Sequence, residues 1–262
     1  MLTRRDCIER LLIGVPLLLG GCRRPPPETL VDPSAGRLHA RPGESSTIHL
    51  PSRATPPRVQ PLVIGGRRDG AFYVSSSYRA NAPAPLIVFL HGAGSSGREV
   101  IEHLTSHADQ TGSVVVAPDS REDTWSFGSG DEAEDVAFID DTLEAAFSTY
   151  SIDPVRIGIG GFSDGASAAL SLGLVNGDLF SAICAFSPGF IETSAPLLGS
   201  PRIFISHGSA DDILPVERCG RRIASALQAA GYRVTYREFE GGHTVPPEIG
   251  RAGLDSLVGA TR

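Results

Sequence analysis

The sequence predicts an α/β domain with a mostly parallel central sheet and helices on both faces. Two observations carry that reading. The runs at 86–90 (Leu-Ile-Val-Phe-Leu) and 114–117 (Val-Val-Val-Ala) are apolar without alternation, as a strand buried on both faces requires. Stretches of helical period stand between such runs, and strands joined through helices pair as parallel neighbours in one sheet. In sheets of this kind ligands sit beyond the carboxyl ends of the strands, so the residues that follow each strand are the ones to examine for chemistry.

Taken in order, an early strand is expected at 72–74 and a central one at 86–90, which ends at His91-Gly92. A helical pattern covers 98–110, followed by the strand 114–117 and a long helical pattern over 131–150. Asp131, Glu132, Glu134 and Asp135 read as the solvated acidic first turn of that helix, favourable to its dipole. The strand 156–160 leads into Gly161-Phe162-Ser163-Asp164-Gly165 and a small-residue helical run at 166–172. Further strands are expected at 181–186, 202–205 and 232–239, with helical connections over 215–230 and 247–258.

A chain of 262 residues suits one such domain with a sizeable core, and 41% hydrophobic content describes a globular chain. A net charge of −7 supplies no clustered positive field, which argues against nucleic acid as a partner. All 23 basic side chains other than histidine are arginine, so lysine-based covalent catalysis is excluded. There is no H-E-x-x-H and no paired C-x-x-C, and Gly158-Ile159-Gly160-Gly161 fails as a dinucleotide loop because Ser163 stands where its last glycine belongs. No metal, no cofactor and no protein partner is implied.

The first segment reads as an address. Residues 1–22 carry Arg4 and Arg5, a short apolar run at 11–19, and Leu19-Gly20-Gly21-Cys22, a pattern similar to a bacterial lipoprotein signal in which Cys22 is lipidated after cleavage. Thr3-Arg4-Arg5-Asp6-Cys7-Ile8 also resembles a twin-arginine signal, with Sec export as the alternative. Residues 23–57, rich in Pro, Arg, Ser and Thr, are expected to tether that anchor to the domain at 58–262. The expected location is the bacterial cell envelope, held to the membrane through the lipid. Cys184 and Cys219 are expected as separate thiols, Cys184 lying within an apolar strand.

Gly161-Phe162-Ser163-Asp164-Gly165 fits G-x-S-x-G between an apolar strand and a helix. A serine on so sharp a turn needs glycines on either side, and the helix behind it directs positive dipole toward a developing oxyanion. The backbone N–H of Asp164 is one oxyanion donor, and Ala93, in the loop His91-Gly92-Ala93-Gly94-Ser95, is the candidate for the second. His91 is expected to shape that loop rather than move protons. A serine hydroxyl needs a base and the base needs a carboxylate to orient it. Asp211 or Asp212 and then His243 follow the late strands in the required order, with one aspartate left to cap the next helix.

With those residues in hand, residues 62–258 resemble the carboxylesterase/phospholipase branch of the α/β-hydrolases, which includes acyl-protein thioesterases and neighbours the dienelactone hydrolases. The resemblance is carried by His91-Gly92-Ala93-Gly94, Gly161-Phe162-Ser163-Asp164-Gly165, His207-Gly208-Ser209-Ala210-Asp211 with Leu214-Pro215, and Gly241-Gly242-His243-Thr244. It implies an α/β-hydrolase fold, a triad of Ser163, Asp211 and His243, and oxyanion N–H groups from Ala93 and Asp164. Thioesterase-like members carry Gln at the position of Asp164 and Asp at that of Ser95, so the resemblance implies ester hydrolysis rather than deacylation of protein thioesters.

The expected function is cleavage of small or lipid-like carboxylic esters through an acyl-enzyme on Ser163, since the spacing of elements leaves no room for a large lid. Trp125 and Phe127 are candidates for lining the substrate pocket. Exported polyhydroxyalkanoate or feruloyl esters are alternative substrates, and a non-catalytic binding protein on the same scaffold is the alternative of another class.

Overall fold

The computed structural model describes residues 36–43, 49–51, 57–66, 68–127, 132–193 and 195–259. The expected leader at 1–22, with its twin-arginine-like segment and Cys22, lies outside the described residues.

Among the described residues, eight strands form one sheet: β1 (Gln60–Pro61), β2 (Gly70–Val74), β3 (Ala84–Leu90), β4 (Val114–Pro118), β5 (Ile152–Phe162), β6 (Ala182–Phe186), β7 (Arg202–Gly208) and β8 (Val234–Phe239). Their order across the sheet is β1-β2-β4-β3-β5-β6-β7-β8. The pairs β1/β2 and β2/β4 are antiparallel, and the pairs from β4 through β8 are parallel. The helices are α1 (Gly97–Glu102), α2 (Thr105–Thr111), α3 (Ala133–Thr149), α4 (Asp164–Val175), α5 (Gly220–Ala229) and α6 (Pro247–Val258).

Alternate side chains of the central strands enter separate cores. Leu86, Val88 and Leu90 of β3 join Ile157 and Ile159 of β5 under α3, α4 and α5. Ile87 and Phe89 join Val115 of β4 and Cys184 of β6 under α1, α2 and α6. This is why the central runs carry no polar alternation.

The pattern at 98–110 forms two helices rather than one. Residues 103 and 104 break it, and α2 ends at Gly112 in the left-handed conformation (φ 74°). The connection after β7 is helical only from Gly220, since Pro215 opens a turn in which the Arg218 and Cys219 N–H groups donate to its carbonyl.

The described part of the expected tether does not hang free. Leu38, Ala40 and Leu50 are buried in the α3–α4 core. The Leu38 N–H donates to Asn176 Oδ1 at 2.9 Å, and the His39 and Ala40 N–H groups donate to Asp140 Oδ1 at 2.8 and 2.9 Å. Arg37 and Arg41 pair with Asp178, whose pKa falls to about 2, with the Arg37 hydrogen bonds as the main cause. Proline- and arginine-rich composition reads as linker, yet three apolar side chains and acceptors on α3 and α4 suffice to dock this stretch.

Candidate active site

Ser163 stands between β5 and α4 with φ 57° and ψ −118°, a backbone strained for any residue other than glycine. The sequence around it makes this turn possible. A Cβ on Gly161 would stand 2.3 Å from the Gly165 carbonyl oxygen, and one on Gly165 would stand 2.3 Å from the carbonyl oxygens of Leu90 and His91. The Ser163 N–H donates to the Phe186 carbonyl at 2.9 Å, which pins the turn to the end of β6.

His243 arrives from the loop between β8 and α6. Its Nε2 lies 2.8 Å from Ser163 Oγ and its Nδ1 lies 2.7 Å from Asp211 Oδ2. The imidazole packs against the Phe162 ring, centroid to centroid 4.8 Å. The loops bearing acid and base are held together at close range. The Ser209 N–H donates to the Phe239 carbonyl at 2.8 Å and the Ala210 N–H to the Gly241 carbonyl at 2.9 Å. A Cβ on Gly208 would meet the Gly242 carbonyl oxygen at 2.2 Å, so only glycine permits this approach.

Of the two adjacent aspartates, Asp211 faces the histidine and Asp212 is exposed. Asp211 Oδ1 accepts from the Ile213 and Leu214 N–H groups at 3.0 and 2.8 Å, leaving Oδ2 for His243. Burial raises the Asp211 carboxyl, but hydrogen bonds from His243 and the Leu214 N–H outweigh it, and the group lies below the ordinary carboxylate range. An ionised carboxylate is what holds Nδ1 protonated and Nε2 free to accept the serine proton.

The structure locates the backbone of both expected oxyanion donors. The Asp164 N–H is the first of α4 and has no carbonyl within its own helix to bond, and Ala93 lies exposed in the loop after β3. His91 is fully buried and shapes that loop. Its Nε2 accepts the Ser120 N–H at 3.0 Å, which leaves the proton on Nδ1 to bond the Gly92 carbonyl at 2.8 Å. Burial depresses its pKa, so the ring is held neutral.

Trp125 and Phe127, expected to line the substrate pocket, are buried in the α3–α4 core. Trp125 instead supports the oxyanion loop. Its Nε1 donates to the His91 carbonyl at 2.8 Å and its N–H donates to Asp164 Oδ2 at 3.0 Å, beside a short hydrogen bond from the Thr124 hydroxyl. The Gly94 N–H is held by the Asp123 carbonyl at 2.8 Å. Asp135 corrects a second expectation, because it is fully buried rather than solvated. Its carboxylate accepts from the Arg121 N–H at 2.8 Å and the Ser126 N–H at 2.7 Å, folding the loop that carries Trp125. The helical periodicity of 131–150 placed Asp135 on α3 but held no signal for backbone donors brought in from the preceding loop.

His207, also overlooked as a functional side chain, is fully buried beneath the acid. Its Nε2 donates to the Leu214 carbonyl at 2.6 Å and lies 3.3 Å from Asp211 Oδ2. Cys184 and Cys219 are separate buried thiols. Among the described residues no group of three histidine, cysteine or acidic side chains is placed to hold a metal ion.

Comparison with known proteins agrees with this fold. Residues 131–251 match the model of the phospholipase/carboxylesterase family. A probable feruloyl esterase C of Aspergillus niger is 29% identical over 159 residues, covering 57% of this chain and 57% of that protein. An acyl-protein thioesterase 1 of Gibberella zeae is 32% identical over 106 residues, 37% of this chain and 45% of that one. The chain thus spans about half the length of these curated relatives. Among solved structures, esterase PE8 superposes with a TM-score of 0.56 at 25% identity, over 73% of this chain and 96% of that one. By its mostly parallel sheet, its serine elbow and these matches, the chain has the α/β-hydrolase fold and is similar, over residues 131–251, to the phospholipase/carboxylesterase family.

Proposed function

We propose that the protein is a serine ester hydrolase working through an acyl-enzyme on Ser163. The observation that carries this is the continuous line from Ser163 Oγ through His243 to Asp211, with contacts of 2.8 and 2.7 Å. His243 Nε2 takes the hydroxyl proton as Oγ bonds to the ester carbon. The carbonyl oxygen becomes an alkoxide opposite the N–H groups of Ala93 and Asp164. Collapse of that intermediate breaks the bond to the alcohol, which leaves with the proton from Nε2, and water repeats the sequence to free the acid.

The test is labelling by a fluorophosphonate, which phosphonylates an activated serine. Wild type is expected to label and Ser163→Ala is not; equal labelling of both, or none in either, rejects the reading and favours a non-catalytic binding protein. The similarity to a feruloyl esterase supports feruloyl esters as substrates beside simpler carboxylic esters. Hydrolysis of feruloyl and p-nitrophenyl esters, measured side by side, decides between them.

Export with lipidation at Cys22 completes the proposal, supported by Leu19-Gly20-Gly21-Cys22 after the apolar run at 11–19. A Cys22→Ala protein is expected to leave the membrane fraction, and its retention there rejects the anchor.

A further inference from the structure

Beside the triad lies a groove of about 780 Å³ between α1–α2 and α6. Its floor is Phe89, Phe186 and Leu254, all buried, and its partly exposed walls include Val100, Phe162 and Val245. Its lining includes His243 and also Ser95, two residues after the proposed donor Ala93. Polar side chains, among them Glu99, His103 and Arg251, are exposed at its rim. The volume is within the range of about 300–1,000 Å³ that small-molecule sites occupy.

We propose that this groove receives the alcohol half of the ester and that the preferred alcohol is apolar, an alkyl chain or an aryl ring. The proposal rests on the serine ester hydrolase reading above, and reaction geometry assigns the occupant. The tetrahedral carbon carries Ser163 Oγ, the oxyanion, the acyl group and the departing alkoxy oxygen. For the alkoxy oxygen to leave as an alcohol it must take the proton from His243 Nε2, so it lies on the imidazole side, while the acyl group is directed away. The groove adjoins the imidazole and residues 244–247 that follow it, whereas Ser163 and Asp164 are outside its wall. An apolar alcohol leaving past Ser95 and His243 therefore passes into a cleft whose floor and walls are aromatic and aliphatic.

Gly250 supplies the means of testing it. It lines the groove from α6, and a Cβ there would have only Val245 Cγ1 within 4 Å, at 3.5 Å. A larger side chain can thus enter the groove without moving backbone, and the helix is favoured by the loss of glycine. Two series of esters are compared by kcat/KM, one with the acetyl group fixed and the alcohol lengthened from ethyl to hexyl, the other with ethanol fixed and the acid lengthened. Primary alkanols hold leaving-group reactivity nearly constant.

The expected result is a rise along the alcohol series, up to about fourfold per methylene buried, and a flat acyl series. Gly250→Leu is expected to compress the hexyl-to-ethyl ratio toward one. A rise confined to the acyl series, or a hexyl-to-ethyl ratio that Gly250→Leu does not change, overturns the proposal. Fluorophosphonate labelling of Ser163 is read in parallel, because its absence rejects the hydrolase reading itself, whereas labelling with the wrong series dependence rejects only the groove assignment.

Discussion

Trp125 and Asp164 clamp the loop after β3 to the start of α4. The Trp125 backbone N–H donates to Asp164 Oδ2 at 3.0 Å, and the indole Nε1 donates to the His91 carbonyl at 2.8 Å. One residue therefore ties the loop after β3 to the first turn of α4, the two places that carry the proposed oxyanion donors. Trp125→Phe keeps an aromatic ring in the core but deletes the indole donor together with part of the packed ring volume. We expect kcat to fall about tenfold, equivalent to ~1.4 kcal/mol of transition-state stabilisation, with a loss of about 1 kcal/mol in stability by denaturant titration. Unchanged kcat with the stability loss alone would show that the clamp is structural only.

The two adjacent aspartates should separate sharply. Asp211→Asn removes the charge that sets the His243 tautomer, and kcat should drop by about 10⁴-fold. Asp212 is exposed, so Asp212→Asn should stay within roughly the ±0.5 kcal/mol typical of surface changes. Steady-state kinetics on one ester decides both, and comparable losses in the two variants would contradict the assignment.

Glycines near the site differ in what they tolerate. A Cβ on Gly165 meets two backbone oxygens at 2.3 Å, whereas one on Gly94 has nothing within 4 Å and only the cost of φ 72°. Backbone cannot yield as a side chain can. Gly165→Ala should destabilise by more than about 3 kcal/mol or prevent folding, and Gly94→Ala by about 1 kcal/mol. Denaturation midpoints of the two variants check the ordering.

Stability should depend on pH through His91. Its folded pKa is depressed by burial, so below about 6.5 the unfolded chain binds a proton that the folded one refuses. The sign follows directly: this contribution is complete above the unfolded value and is lost as pH falls from there toward the folded value. His91→Gln should lower stability at pH 8 but flatten the decline in melting temperature between pH 7 and pH 5. An equal slope in wild type and variant would assign the decline to other groups.

Legibility in the sequence followed the range of the interactions involved. The doubly apolar runs of β3 and β4 and the G-x-S-x-G turn are local consequences of burial and backbone sterics, so strands, elbow, Ser163 and His243 could be read directly from residue order. The choice of Asp211 over Asp212 rested on motif resemblance, because two neighbouring aspartates have the same local chemistry. Composition misled at 36–43 and 49–51, where Leu38 and Leu50 find a core that only the folded chain supplies. The roles of Trp125, Asp135 and His207 were decided by tertiary structure alone. Each depends on a backbone donor or acceptor in another loop or turn, and a side chain's pattern does not encode which carbonyl or N–H folding will bring within 3 Å of it.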